Sequence, residues 1–194
     1  AFLLKTNQAP FTCDNAALTQ PYYCRHDHLH LMRGEVSAFL RTYYNQLTAL
    51  ADRETRSFWE HYTGASQHKT HEEAWFLMQT RWALYMERGD VLHVFPGMPR
   101  AWLAPGKGIK ASGVASHFGR LDLEATASDD GASIRASVCC ESERPPKTVV
   151  LRIPHPERRS PIASEGPGVY DACSETVRIE HFPGKAHVLL RYKQ

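Results

Sequence analysis

The sequence lacks any long apolar run, and this absence excludes a membrane-spanning helix. No stretch approaches the roughly 18 apolar residues that a span requires, and the opening AFLL is too short for a secretory signal peptide. The first residue is Ala1 rather than Met, so we expect a processed, truncated or partial chain. We expect no membrane as a partner.

The chain also lacks an excess of charge of either sign. It contains 23 Lys and Arg against 21 Asp and Glu, which leaves a formal net charge of +2. Such a balance offers no electrostatic basis for binding nucleic acid, so we do not expect a nucleic-acid partner. With 194 residues, 42% of them hydrophobic, the composition fits one large globular domain or two small ones.

Cysteines with metal-binding spacing are absent as well. The five cysteines form no CxxC motif and no spaced zinc pair. Cys139 and Cys140 are adjacent in a strand-like run, and we interpret them as small apolar residues on opposite faces. Cys13 and Cys24 could be bridged in an oxidising compartment, and the odd count leaves that compartment open. We predict no cofactor and no cysteine metal site.

The first half of the chain contains two helical patterns. Apolar residues at spacings of three and four predict a helix from about Gly34 to Ala51. Thr70 and Glu73 fit a capping box, and the run after them predicts a second helix over residues 71–88 that stops at Gly89. Because this helix is apolar on nearly every side, we expect the rest of its own polypeptide or self-association to cover it.

After Gly89 the hydrophobic period changes from 3.6 to two. Short alternating runs, bounded by Gly, Pro, Asp or Ser, predict an antiparallel β-sandwich. The residues 129–131, Asp-Asp-Gly, predict a hairpin turn. We therefore predict an α+β chain, with a helical segment over residues 1–89 and a C-terminal β-sandwich domain over residues 90–194.

The connection between the two predicted helices holds the main candidate site. Glu60 lies there among aromatic and imidazole side chains, Trp59, His61 and Tyr62. Aromatic surroundings can move the pKa of a carboxyl group toward neutrality, and sugar rings commonly stack on aromatic rings. Trp59 and Tyr62 lie in a connection rather than in a helix, which favours them as a sugar platform. A structural alternative is that Glu60 caps a helix or pairs with an arginine.

Polar residues follow at the predicted start of the second helix. His68, His71 and Glu72 lie where the positive end of a helix dipole stabilises a carboxylate. The spacing His68-x-x-His71 is only loosely typical of metal sites, since it is not HExxH and no third ligand follows at a familiar offset. These side chains are interpreted either as the polar side of a substrate pocket or as helix-capping residues.

The densest imidazole cluster lies earlier in the chain, at His26, His28 and His30. Alternation in an extended segment would place all three on one side, where they could hold zinc. The alternatives are a solvated structural segment and a contact from His28 to substrate.

These features resemble the C-terminal portion of bacterial six-hairpin (α/α)6-barrel glycosidases, in particular the α-L-rhamnosidase-like and α-L-fucosidase-like groups. The resemblance covers roughly residues 20–153. It rests on a buried helix that ends in Gly, on the strand and PGMPRAWL connector after it, and on a Trp59–Glu60 step followed by His68, His71 and Glu72.

The resemblance implies that residues 1–89 are late hairpins of an α/α barrel, with most of that barrel missing. It implies a carbohydrate substrate, a secreted or periplasmic location, and Glu60 as catalytic base with an acid contributed upstream of Ala1. The residues expected to contact substrate are Trp59, His61, Tyr62, His68, His71, Glu72 and His28.

The sequence thus leaves three functions to compare. The first is hydrolysis of glycosidic bonds by carboxylate acid–base catalysis, without metal. The second is a zinc-dependent hydrolase that uses His26, His28 and His30. The third is a non-catalytic β-sandwich binding module with a helical lead-in.

Overall fold

The structure is a computed structural model and describes residues 26–60 and 68–193. The chain divides into two compact units, and the boundary between them in the sequence lies between Ala83 and Leu84. His61, Tyr62 and the Cys13–Cys24 pair, all named above, lie outside the described residues.

The described residues of the first unit form three helices and one short hairpin. Its described helices are α1 (His26–Met32), α2 (Val36–Leu50) and α3 (Thr70–Leu84). Gly34 separates α1 from α2 with a φ of +74°, a left-handed conformation that glycine adopts without strain. The helix predicted from about Gly34 to Ala51 is confirmed, because α2 occupies that span. It buries one stripe of side chains at spacings of three and four, namely Phe39, Thr42, Gln46 and Leu50.

A short hairpin follows α2 directly. Strands β1 (Ala51–Asp52) and β2 (Ser57–Phe58) pair antiparallel. The Asp52 carboxylate accepts the backbone N–H groups of Glu54 and Thr55 at 2.8 and 3.2 Å, which closes the turn between the strands. Phe58 and Leu50 are both buried and form a small apolar cluster. The hairpin thereby positions the segment that leads from Phe58 to Glu60.

The second unit consists of strands and one short 3-10 helix (Arg100–Leu103). The strands are β3 (Tyr85–Arg88), β4 (Val91–Val94), β5 (Gly108–Ser116), β6 (Gly119–Ala127), β7 (Ser133–Glu141), β8 (Thr148–Arg152), β9 (Ala163–Glu165), β10 (Val169–Asp171), β11 (Thr176–Glu180) and β12 (Lys185–Arg191). They form two five-stranded sheets, with orders β10-β11-β8-β4-β3 and β5-β6-β7-β12-β9.

One hydrophobic core lies between these two sheets. It takes alternate side chains from both, such as Leu121 and Leu123 of β6 and Val149 and Leu151 of β8. The pairings are antiparallel except that β4 runs parallel to β8. The hairpin predicted at residues 129–131 is confirmed, because β6 and β7 pair antiparallel across it.

The predicted fold class is wrong in its helical half. In the part of the chain that the structure describes, three helices of 7, 15 and 15 residues accompany twelve strands in three sheets. Residues 26–60 and 68–193 are rich in strands and do not show the helical half of an α/α barrel. The prediction extended two helical patterns into a barrel by resemblance, whereas the backbone forms a hairpin immediately after α2 and strands immediately after α3.

The second helix is also shorter than predicted. Residues 71–88 were expected to be helical up to Gly89, but α3 ends at Leu84 and Tyr85–Arg88 form strand β3. This strand pairs antiparallel with Val91–Val94 across the Gly89 turn. Hydrogen bonding to β4 and burial of Tyr85 in the sandwich core therefore override the helical pattern of the sequence.

Candidate functional site

The hairpin and the start of α3 bring Glu60 and Lys69 together. The backbone N–H of Trp59 donates to the carbonyl of Leu50 at 2.8 Å, and that of Lys69 donates to the carbonyl of Phe58 at 3.2 Å. These hydrogen bonds hold the segment before Glu60 against the segment that enters α3. Lys69 Nζ consequently lies 3.1 Å from Glu60 Oε2, with the Glu60 side chain 17% exposed. The ammonium group stabilises the charged form of the Glu60 carboxylate.

Glu72 lies in the first turn of α3 and is fully buried, at 0% exposure. Neither of its carboxyl oxygens has a hydrogen-bond partner among the described residues. His71 Nε2 approaches Oε2 to 2.8 Å, which is ion-pair distance, without the alignment of a hydrogen bond. A charged carboxylate in this position would be poorly solvated.

The pKa of Glu72 is correspondingly raised, to about 7. Burial is the main cause, because it removes water from the charged form. The negative charge of Glu60 raises the pKa further, and the positive charge of Lys69 opposes both effects. The two carboxyl groups therefore have different surroundings: Glu60 is paired with a cation, whereas Glu72 loses its proton only as the pH approaches about 7.

Such a pair has the two properties that acid–base chemistry requires. A protonated, buried carboxyl group can donate a proton, and a neighbouring carboxylate can accept one or attack an electrophilic carbon. The partial exposure of Glu60 and of the His71 side chain, 17% and 37%, leaves this group of residues accessible to solvent on one side.

The other residues predicted for the pocket occupy different positions. Trp59 is half-buried and packs against the cluster of Leu50 and Phe58, so part of its ring contributes to the core. His68 is exposed and has a φ of +59°, a left-handed conformation that is uncommon outside glycine. His61 and Tyr62 fall outside the described ranges.

The histidine cluster is not arranged as predicted. His26–Met32 form helix α1, so the expected extended alternation is wrong, and residues two apart in a helix point to different sides. His30 Nδ1 lies 2.6 Å from Glu35 Oε2, whereas the ring of His28 lies 4.5 Å from that of Trp82. Across residues 26–60 and 68–193, no group of three or more His, Cys, Asp or Glu side chains is placed to share a metal ion.

The first unit also contains a group of buried polar side chains that the sequence pattern did not indicate. Asp27, Gln46 and Gln79 are each at most 2% exposed, and Gln79 Nε2 donates to Gln46 Oε1 at 2.6 Å. Burial raises the pKa of Asp27 to about 6, while a side-chain hydrogen bond with Gln79 lowers it. Hydrophobic periodicity could not reveal these residues, because it assigns polar side chains to the solvent face.

Within the described ranges, the longest helices have 15 residues, and none has the length and apolarity needed to cross a bilayer. A scan against protein-family models finds no family that matches, and a search of curated proteins finds no match either.

Proposed function

We propose that this chain acts in the hydrolysis of glycosidic bonds, with Glu72 as the proton donor and Glu60 as the carboxylate base. The observation that supports this most is the placement of the Glu60–Lys69 ion pair, at 3.1 Å, beside a fully buried Glu72 whose pKa is about 7. Glycoside hydrolysis needs one carboxyl group in each protonation state on either side of the scissile bond.

Each residue has a chemical role in this proposal. Glu72 has no exposed surface, so its proton passes through the partly exposed His71, 2.8 Å away, to the glycosidic oxygen, and the leaving group departs as a neutral alcohol. Glu60 takes a proton from the attacking water or attacks the anomeric carbon itself, and Lys69 keeps it charged before the reaction. His71, 2.8 Å from Glu72, is placed to assist the return of the proton.

The choice of a glycoside as substrate rests on the resemblance of the Trp59–Glu60 step and the PGMPRAWL connector to glycosidase sequences. The half-buried Trp59 next to Glu60 is consistent with this choice, because a sugar ring stacks on an aromatic face. The earlier expectation of an acid from upstream of Ala1 is replaced in this proposal by Glu72, which lies on the described chain.

The proposal is tested with aryl glycosides whose leaving groups differ in pKa. Glu72→Gln removes the proton donor, so glycosides with a poor leaving group should lose about 10²-fold or more in kcat/KM. A 4-nitrophenyl glycoside needs little protonation and should retain most of its rate. Glu60→Gln removes the base and should slow both substrate types by about 10²-fold or more.

The matched control is Glu73→Gln, the same change one residue further along α3, which should alter the rates by less than a few-fold. The proposal fails if the intact chain hydrolyses none of a panel of aryl glycosides. It also fails if the losses in the Glu60 and Glu72 variants are no larger than in the Glu73 control, or if the Glu72 variant shows no dependence on the leaving group.

A further inference from the structure

A depression in the second unit lies on the outer face of the sheet β5-β6-β7-β12-β9. Its volume is about 350 Å³, which falls in the range of roughly 300–1,000 Å³ found for small-molecule sites. The side chains that matter for its chemistry are Glu124 and Thr126 of β6, Ser133, Arg135 and Ser137 of β7, and His187 of β12.

Strand register explains why a depression forms there. Glu124, Ser137 and His187 are directly opposite one another across three adjacent strands. The small Ser137 therefore lies between the longer side chains of Glu124 and His187, and this difference in size leaves a depression above Ser137. Because these residues alternate with core residues along each strand, they all face away from the sandwich core.

Among the described residues, no acidic side chain forms an ion pair with Arg135. Its directly opposite residues are Thr126 on β6 and Leu189 on β12, and neither is acidic. The two nearby carboxylates have other cations: Glu124 pairs with Lys110 at 3.8 Å, and Glu165 pairs with Arg191. A planar guanidinium with free donors matches a carboxylate in a two-pronged geometry.

The other polar side chains of the depression can form hydrogen bonds with the hydroxyl groups of a ligand. The side chains of Thr126, Ser133 and Ser137 can donate or accept, the Glu124 carboxylate accepts, and the His187 ring nitrogens do either. Within the described part of the chain, no Phe, Tyr or Trp side chain lines the depression. The depression therefore has no large aromatic face on which a neutral sugar ring could stack.

We propose that this depression binds a single hexuronic acid unit, a polyhydroxylated ring with a carboxylate. The carboxylate is held by Arg135, and the ring hydroxyls are held by Ser137, Thr126, Glu124 and His187. This site lies in the second unit and is independent of the acid–base pair of the first, so either assignment can fail without the other.

The test is an NMR titration of the His187 imidazole signals in the intact chain with sodium glucuronate, with glucose and with sodium sulfate. We expect saturable shifts with glucuronate in the low-millimolar range, and binding at least about tenfold weaker with glucose and with sulfate. Arg135→Gln should weaken glucuronate binding at least about tenfold. Arg178→Gln, the same charge change at an exposed position of β11 in the other sheet, should leave it unchanged.

Several outcomes would overturn the proposal. The first is a His187 signal that does not saturate with glucuronate. The second is equal affinity for sulfate, which would indicate a general anion patch, and the third is equal affinity for glucose, which would remove the role of the carboxylate. The fourth is a loss of glucuronate affinity in Arg178→Gln as large as the loss in Arg135→Gln, which would show that the affinity depends only on the net charge of the protein.

Discussion

At the scale of single residues, the first unit is distinguished by carboxyl groups in places where water does not reach them. Glu72 is fully buried and Asp27 is 1% exposed. Burial raises the pKa of both, to about 7 and about 6. Groups of this kind reduce stability when they are charged, and they are concentrated at functional sites because acid–base chemistry depends on shifted pKa values.

The raised pKa of Glu72 predicts a specific dependence of stability on pH. The folded state holds this proton up to about pH 7, whereas an unfolded glutamate releases it near its ordinary value of about 4.3. Between these values the folded state binds more protons, so the free energy of unfolding falls as the pH rises from about 4.5 to 7. Over that window the loss due to Glu72 should be about 1–3 kcal/mol.

Glu72→Gln should therefore flatten the pH profile of the free energy of unfolding, measured by urea denaturation at several pH values. Part of the slope should remain, because Asp27 titrates in an overlapping window and is unchanged. The control Glu73→Gln should keep the wild-type slope. An unchanged slope in the Glu72 variant would mean that this carboxyl group ionises as freely in the folded state as in the unfolded state.

At the scale of elements, the sequence predicted what local patterning determines. The 3.6-residue period places α2 correctly, and the Asp-Asp-Gly turn identifies the β6–β7 hairpin. The end of α3 was mispredicted because Tyr85–Arg88 are equally compatible with a helix until they meet their partner strand. The parallel pairing of β4 with β8 joins residues more than fifty positions apart, which no local pattern encodes.

Glu175, in the turn before β11, connects the 3-10 helix with strand β8 of the second unit. Both of its carboxylate oxygens accept from Arg100 of the 3-10 helix at 2.6 Å, and Oε2 also accepts from Arg152 of β8 at 3.4 Å. Arg152 is only 6% exposed, and burial lowers its pKa. The carboxylate thus compensates two guanidinium groups that are largely withdrawn from water.

Glu175→Gln would leave that charge without compensation. The free energy of unfolding should fall by about 2–4 kcal/mol, at the lower side of the range for broken buried pairs because Glu175 is partly exposed. Glu165→Gln breaks the exposed pair with Arg191 and should shift the midpoint of urea unfolding much less. Equal shifts in the two variants would show that the Arg100–Arg152–Glu175 group contributes no more than a surface ion pair.

At the scale of the whole molecule, the hydrophobic period of the sequence indicated a change from helices to strands, but placed it at Gly89, whereas the last helix ends at Leu84. The fold class was not predicted correctly, since the barrel was inferred from resemblance rather than from the residues themselves. The candidate site contains three residues that the sequence analysis named, Glu60, His71 and Glu72, and their roles stay a prediction. Lys69 as the partner of Glu60 could not be foreseen, because it depends on the hydrogen bond that returns the chain to Phe58. Burial of Glu72 likewise depends on tertiary packing that spacing alone does not reveal.

The assignment of Glu60 and Glu72 to opposite protonation states is tested most directly by NMR titration of their side-chain carboxyl carbons in the intact chain. Glu72 should titrate near pH 7, and Glu60→Gln should lower that value because it removes the neighbouring negative charge. Lys69→Met should raise it, because it removes the opposing positive charge. A Glu72 signal that titrates near its ordinary pKa of about 4.3, or that does not respond to either substitution, would contradict the acid–base pair.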